Sequence, residues 1–129
     1  MADVNTACMT AGIETLKALS QPGVYEKLEK SAAALESGIN KAAASAGVKV
    51  TTSRIASLMT VFFTDKQPVD FETAAASDTA LFNRFFSGVL SRGIYWPPSQ
   101  FEAIFVSTAH TDDDIARTVQ AVKESLAAF

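Results

Sequence analysis

Apolar positions along the chain follow first a helical and then an alternating period. Between residues 5 and 20, Met9, Ile13, Leu16 and Leu19 recur at helical spacing, and Asn5 or Thr6 can cap the start. "SQPG" interrupts that pattern, with Pro22 suited to a first helical turn. Residues 22–46 then predict a long amphipathic helix. Val24, Leu28, Leu35, Ile39 and Ala42/Ala43 form its stripe, with Glu26, Lys27, Glu29, Lys30, Glu36 and Lys41 around the rest. Gly47 is placed to end it as a C-cap.

The period then changes. "VKVTTS" (48–53) alternates as a half-buried strand does, and Lys49 points away from the face chosen by Val48 and Val50. "ASLMTVFFT" (56–64) is almost continuously apolar and predicts a more central strand. "DKQPVD" reads as a turn or excursion. A third helix is expected over 77–91, with a wide face of Leu81, Phe82, Phe85, Phe86, Val89 and Leu90, closed by Gly93. Residues 94–95 and 103–108 predict short strands on either side of a Pro-Pro loop. In the last helix Thr111 is the N-cap and Asp112, Asp113 and Asp114 favour the positive end of the dipole. Ile115, Val119, Val122 and Leu126 make its stripe. The order α-α-β-β-α-β-β-α predicts an α/β fold, a two-layer sandwich with a small, mostly antiparallel sheet and helices packed on one face.

Composition narrows the function classes. At 129 residues, 48% hydrophobic and 19% charged, the chain suits one folded domain with a core. A net charge of −3 without a Lys/Arg cluster offers nucleic acid no footprint. No apolar run nears the ~20 residues of a membrane span, and the N-terminus lacks a signal-peptide plan. One cysteine, Cys8, excludes an internal disulfide; among Ala7, Met9 and Ala11 it reads as a small buried hydrophobe. The plain reading is an intracellular, cytoplasmic protein.

Local chemistry offers little that is self-sufficient. Asp112, Asp113 and Asp114 could suggest a divalent cation, but all three fall in one first helical turn, which favours capping. His110 in "STAHTDDD" has no partner at ligand spacing and reads as structural ahead of catalytic. The Phe-rich helix reads as core ahead of a cofactor box or partner groove. No nucleophile elbow or glycine-rich phosphate loop occurs, and all seven lysines fall on polar positions. The exception is "YWPPSQFEA" (95–103), where Glu102 follows a proline-stiffened turn and precedes a buried strand. Its carboxylate is either hydrogen-bonded structurally or presented to a pocket, and pattern alone leaves both open.

Several stretches together resemble the C-terminal part of the glutamate-1-semialdehyde 2,1-aminomutase family, pyridoxal-phosphate enzymes among the fold-type-I, class III aminotransferases. "NTACMTAGIETLKAL" (5–19) is similar to the family's "GNP-x-A-M-A-A-G-x-x-T-L", and "ASLMTVFFTD" to its "GSMFTLFFT" strand. "GIYWPPSQFEAIFVSTAHTDDDI" resembles its "G-V-Y-x-P-P-S-Q-F-E-A-x-F-x-S-x-A-H-T-x-x-D-I". The resemblance implies that residues 1–20 are a helix leading from another domain, and that 21–129 form the small C-terminal domain. It implies that the Schiff-base lysine and the aspartate on the pyridinium nitrogen lie upstream, in a large domain absent from this chain. The chain alone would then bind no cofactor and catalyse nothing. Its partners would be that large domain and, in the parent, a second subunit.

Two departures accompany the match. Met1-Ala2-Asp3-Val4 stand near the family's phosphate-holding Gly-Thr pair, and Thr6 replaces its proline. The approach to the prolines, Gly93-Ile94-Tyr95-Trp96, lacks the carboxylate-binding Arg of many class III aminotransferases, which favours the aminomutases. By the resemblance, Glu102 lines the edge of the substrate and cofactor pocket and Ser99 and Gln100 shape the same loop. The reaction would convert glutamate-1-semialdehyde to 5-aminolevulinate for tetrapyrrole synthesis. Two alternatives are a free-standing α/β interaction or ligand-binding module and a fragment of another class III aminotransferase. An excised domain should also leave the Met9, Ile13 and Leu16 face uncovered.

Overall fold

A computed structural model describes residues 6–129, so Asn5 as a cap and the 1–4 segment lie outside the described residues. In chain order the elements are α1 (Thr6–Leu19), α2 (Val24–Ala46), β1 (Thr51–Ile55), β2 (Leu58–Phe62), α3 (Phe71–Ala75), α4 (Thr79–Ser91), β3 (Ile104–Phe105) and α5 (Asp112–Leu126). The three described strands form one antiparallel sheet in the order β1-β2-β3. The α/β class and the helices on one face stand as expected.

Three expected boundaries move, two of them because a backbone donor is engaged elsewhere. The first strand starts at Thr51, not Val48, because α2 ends in a left-handed Gly47 (φ 70°) and the Val48 N–H donates back to Ala43 O at 3.0 Å. Residues 94–95 form no strand. The Ile94 N–H donates to Val89 O at 3.0 Å, closing α4 past a left-handed Gly93, and the prolines that follow have no donors. The strand expected over 103–108 shrinks to two residues, with the Val106 N–H still bonded in register to Ser57 O at 3.0 Å. The "DKQPVD" excursion instead leads into the short α3, capped by Asp70, whose carboxylate accepts from the Thr73 N–H at 2.8 Å.

Register explains which sheet face the helices cover. Opposed residues share a face, so Thr52–Val61 and Arg54–Met59–Ile104 point one way. Met59 and Val61 are buried there, and Arg54 bonds Glu36 and Glu29 of α2 at 2.7 and 2.9 Å. That pairing holds the Glu29 carboxyl below its usual range, chiefly through the Arg54 hydrogen bond, and holds the guanidinium charged. Ser53–Thr60 and Ile55–Leu58–Phe105 point the other way. In the core Phe82 and Phe85 of α4 pack with Phe63 and Trp96, the Phe85–Trp96 pair edge-on at 5.4 Å. The Phe-rich helix is therefore core, as its spacing favours.

The first helix stands apart. None of its described side chains is buried, and Met9, Ile13 and Leu16 are at least half exposed. Cys8 is exposed too, which corrects the expectation of a buried thiol: a helix that packs on almost nothing buries no side chain.

Candidate functional site

The site builds from the end of α4. Its left-handed exit at Gly93 directs Trp96 into the core, where only 5% of it is exposed, and Tyr95 to solvent. Pro97 and Pro98 then fix the backbone before a turn at 99–102. In that turn the Ser99 hydroxyl accepts from the Phe101 N–H and the Ser99 carbonyl from the Glu102 N–H, both at 3.2 Å. Gln100 is buried, and its Oε1 accepts from the Phe63 N–H at 3.2 Å, tying the loop to the end of β2.

A cavity of about 390 Å³ lies against this loop. It is lined by residues 94–98 and 102–106, by His110, by Leu35 of α2 and by Ile115 and Thr118 of α5. Of the expected site residues, Glu102 lines it, whereas Ser99 shapes the turn and Gln100 anchors the loop from within. Glu102 is exposed, and among the described residues no hydrogen bond or ion pair reaches its carboxylate. Its backbone is fixed and its side chain is unclaimed.

His110 shares the cavity, a placement its strand-to-helix position did not reveal. The Ser107 N–H donates to His110 Nδ1 at 3.0 Å, which fixes the orientation of the ring. The lining thus combines aromatic and proline surface with one carboxylate and one imidazole. It suits a small, partly apolar molecule bearing a donor for Glu102. No lysine lines it, and all seven are exposed. Lys49 pairs with Asp65 at 2.6 Å and Lys17 with Glu14 at 2.7 Å.

The aspartate triple serves the helix. Asp114 accepts from the Thr111 N–H at 2.8 Å and its own N–H donates to Thr111 Oγ1, a reciprocal capping box. The bond from the Thr111 N–H is the main cause holding the Asp114 carboxyl below its usual range. Among the described residues no group of three His, Cys, Asp or Glu could hold a metal ion. No helix of the described residues is long and apolar enough to cross a membrane.

Known proteins give this arrangement its context. The chain is 47% identical over 123 residues to a glutamate-1-semialdehyde 2,1-aminomutase of Thermus thermophilus, covering 95% of this chain and 29% of that protein. Against the protein of the same name from Desulforamulus reducens it is 52% identical over 117 residues, 91% of this chain and 27% of that protein. The chain is homologous to one segment of the glutamate-1-semialdehyde 2,1-aminomutases. It spans less than a third of the length of these curated relatives. No family model matches it. Among solved structures, the pyridoxal-phosphate internal aldimine form of the FumI protein of Sphingopyxis sp. MTA144 superposes with a TM-score of 0.73 at 27% identity. The match covers 93% of this chain and 26% of that one. The fold is that of the C-terminal domain of solved pyridoxal-phosphate aminotransferases.

Proposed function

We propose that this chain is the small C-terminal domain of a pyridoxal-phosphate-dependent glutamate-1-semialdehyde 2,1-aminomutase, closing one side of an active site completed by another domain. The observation that carries it is the identity of about half the residues over nearly the whole chain to proteins of that name. Residues 1–20 are the connection to the large domain and 21–129 the small domain, a division supported by the absence of buried side chains on α1. The parent is a cytoplasmic homodimer that engages neither nucleic acid nor membrane.

The chain's own residues do not fit the cofactor. Pyridoxal phosphate needs a lysine at the pocket, and none lines this cavity. What the chain supplies is a carboxylate on a stiff loop. Glu102 can accept a hydrogen bond from an amino group held before it, or exchange a proton with that group. Ser99 sets the turn that presents it, and Gln100 holds the turn in place.

The test replaces the matching segment of the Thermus thermophilus relative with this chain and assays conversion of glutamate-1-semialdehyde to 5-aminolevulinate. Activity is expected in the chimera. A folded chimera without it overturns the reading. The chain alone, mixed with pyridoxal phosphate and borohydride, is expected to leave no stoichiometric lysine adduct; one formed at a single lysine would also overturn it.

A further inference from the structure

Two buried side-chain atoms meet no protein partner among the described residues: Ser77 Oγ and Gln100 Nε2. Their residues are only 6% and 3% exposed. They come from segments distant in sequence, the lead-in to α4 and the Pro-Pro loop, yet both segments bond Phe63, the residue that follows β2. The Phe63 N–H donates to Gln100 Oε1 at 3.2 Å, and the Phe63 carbonyl accepts from the N–H of Asp78, next to Ser77, at 2.9 Å.

The Phe63 N–H settles which way the Gln100 amide lies, since only the oxygen can accept it. The NH₂ group therefore faces away from the strand and brings two buried donors with it. The Ser77 hydroxyl offers an acceptor and a donor. Burying these groups unmet costs more than immobilising one water between them, and folded proteins hold on the order of one internal water per 27 residues.

We propose that Gln100 Nε2 and Ser77 Oγ hold a single ordered internal water, which joins the Pro-Pro loop to the lead-in of α4 at the end of β2. Gln100 then acts as a positioning residue: its oxygen clamps the loop to β2 directly, and its nitrogen clamps it to Ser77 through the water. The position of Glu102, two residues on, depends on both clamps. This assignment stands whether or not the chain serves an aminomutase.

Water-selective NOE and ROE spectra of the uniformly ¹⁵N-labelled 129-residue chain test it. The Gln100 side-chain amide protons are expected to show cross-peaks to a water of residence time beyond nanoseconds, which Ser77→Ala should weaken at least twofold. In Gln100→Met, amide exchange at Phe101 and Glu102 is expected to rise at least tenfold while core amides of α2 and α5 stay unchanged. Cross-peaks that are absent, of bulk-water sign or untouched by Ser77→Ala overturn the water site. Unchanged exchange at Phe101 and Glu102 overturns the positioning role. Ser77→Ala removes only a hydroxyl, so it reads the site even where Gln100→Met does not fold.

Discussion

On the helix side of the sheet, Met59 and Val61 are buried beneath α2, α4 and α5. On the other side, Ile55, Leu58 and Phe105 stand in cross-strand register with 79%, 36% and 68% of their surfaces exposed. Both faces carry apolar side chains, but the helix layer covers only one; on the other Phe62 is buried while Ile55, Leu58 and Phe105 are not. Large side chains in the core each make many close contacts, and removing one leaves a cavity that the surroundings only partly fill. At those three exposed positions the same chemistry rests against solvent, so a substitution there removes little. Hydrophobicity alone therefore does not mark what holds this domain together.

The largest expected effect tests that contrast directly. Phe85→Ala should cost roughly 3–5 kcal/mol in denaturant unfolding, because Phe85 is buried and packs with Phe63 at 5.4 Å and Trp96 at 5.4 Å. Phe105→Ala should stay within about 0.5 kcal/mol of the parent. Comparable losses at the two positions would erase the distinction between the faces.

A second experiment concerns the helix layer alone. A Cβ at Gly38 on α2 would collide with both methyl groups of Val119 on α5, so the glycine sets how closely the two helices approach. Gly38→Ala should therefore destabilise by about 1–3 kcal/mol through overpacking, although alanine is the better helix former. Adding Val119→Ala should recover part of that loss. Full additivity in a double-mutant cycle would mean the two side chains do not meet.

The helices were legible because their signals are local. The α2 stripe, Gly47, the Thr111 cap and the three aspartates all act within a turn or two of where they stand, and each is found in place. The strands were less so, because a strand boundary is fixed by where each N–H finds an acceptor. Val48 and Ile94 have apolar, strand-like side chains, and each donates to a helix end. The short α3 carried a usable sign in Asp70 and Thr73, three residues apart. At the candidate site the fixed backbone around Glu102 could be read from the prolines. The burial of Gln100 and the shared cavity of Glu102 and His110 could not, because both arise from contacts between segments distant in sequence.

A smaller effect comes from the α5 cap. Thr111→Ala should cost about 1 kcal/mol, read by thermal or denaturant unfolding. The partner residue gives a pH dependence. The Asp114 carboxyl titrates below its ordinary value of 3.8 in the folded chain, so the folded state binds fewer protons there than the unfolded one. Its stabilisation is complete above 3.8 and is lost as pH falls through the lower folded value. Asp114→Asn should thus be less stable than the parent near neutral pH, with the gap closing below pH 3.8. A gap independent of pH would assign the effect to packing.

The smallest expected effect on stability falls at the residue with the largest proposed role. Glu102 has a constrained backbone, held by the Ser99 turn on one side and β3 on the other, while its carboxylate receives no hydrogen bond from the described residues. A carboxylate kept for structure would have partners, and removing its charge would leave them unmet. One kept for a ligand has no partner to lose. Glu102→Gln should therefore change the unfolding free energy of this chain by less than about 0.5 kcal/mol. In the chimera with the Thermus thermophilus relative, the same change should lower the rate by on the order of 10²-fold, the scale of a lost acid–base group. A destabilisation of about 1 kcal/mol or more would make Glu102 a structural carboxylate. It would also move the proposed acid–base chemistry off Glu102, leaving His110 and Tyr95 as the candidate proton carriers of the cavity.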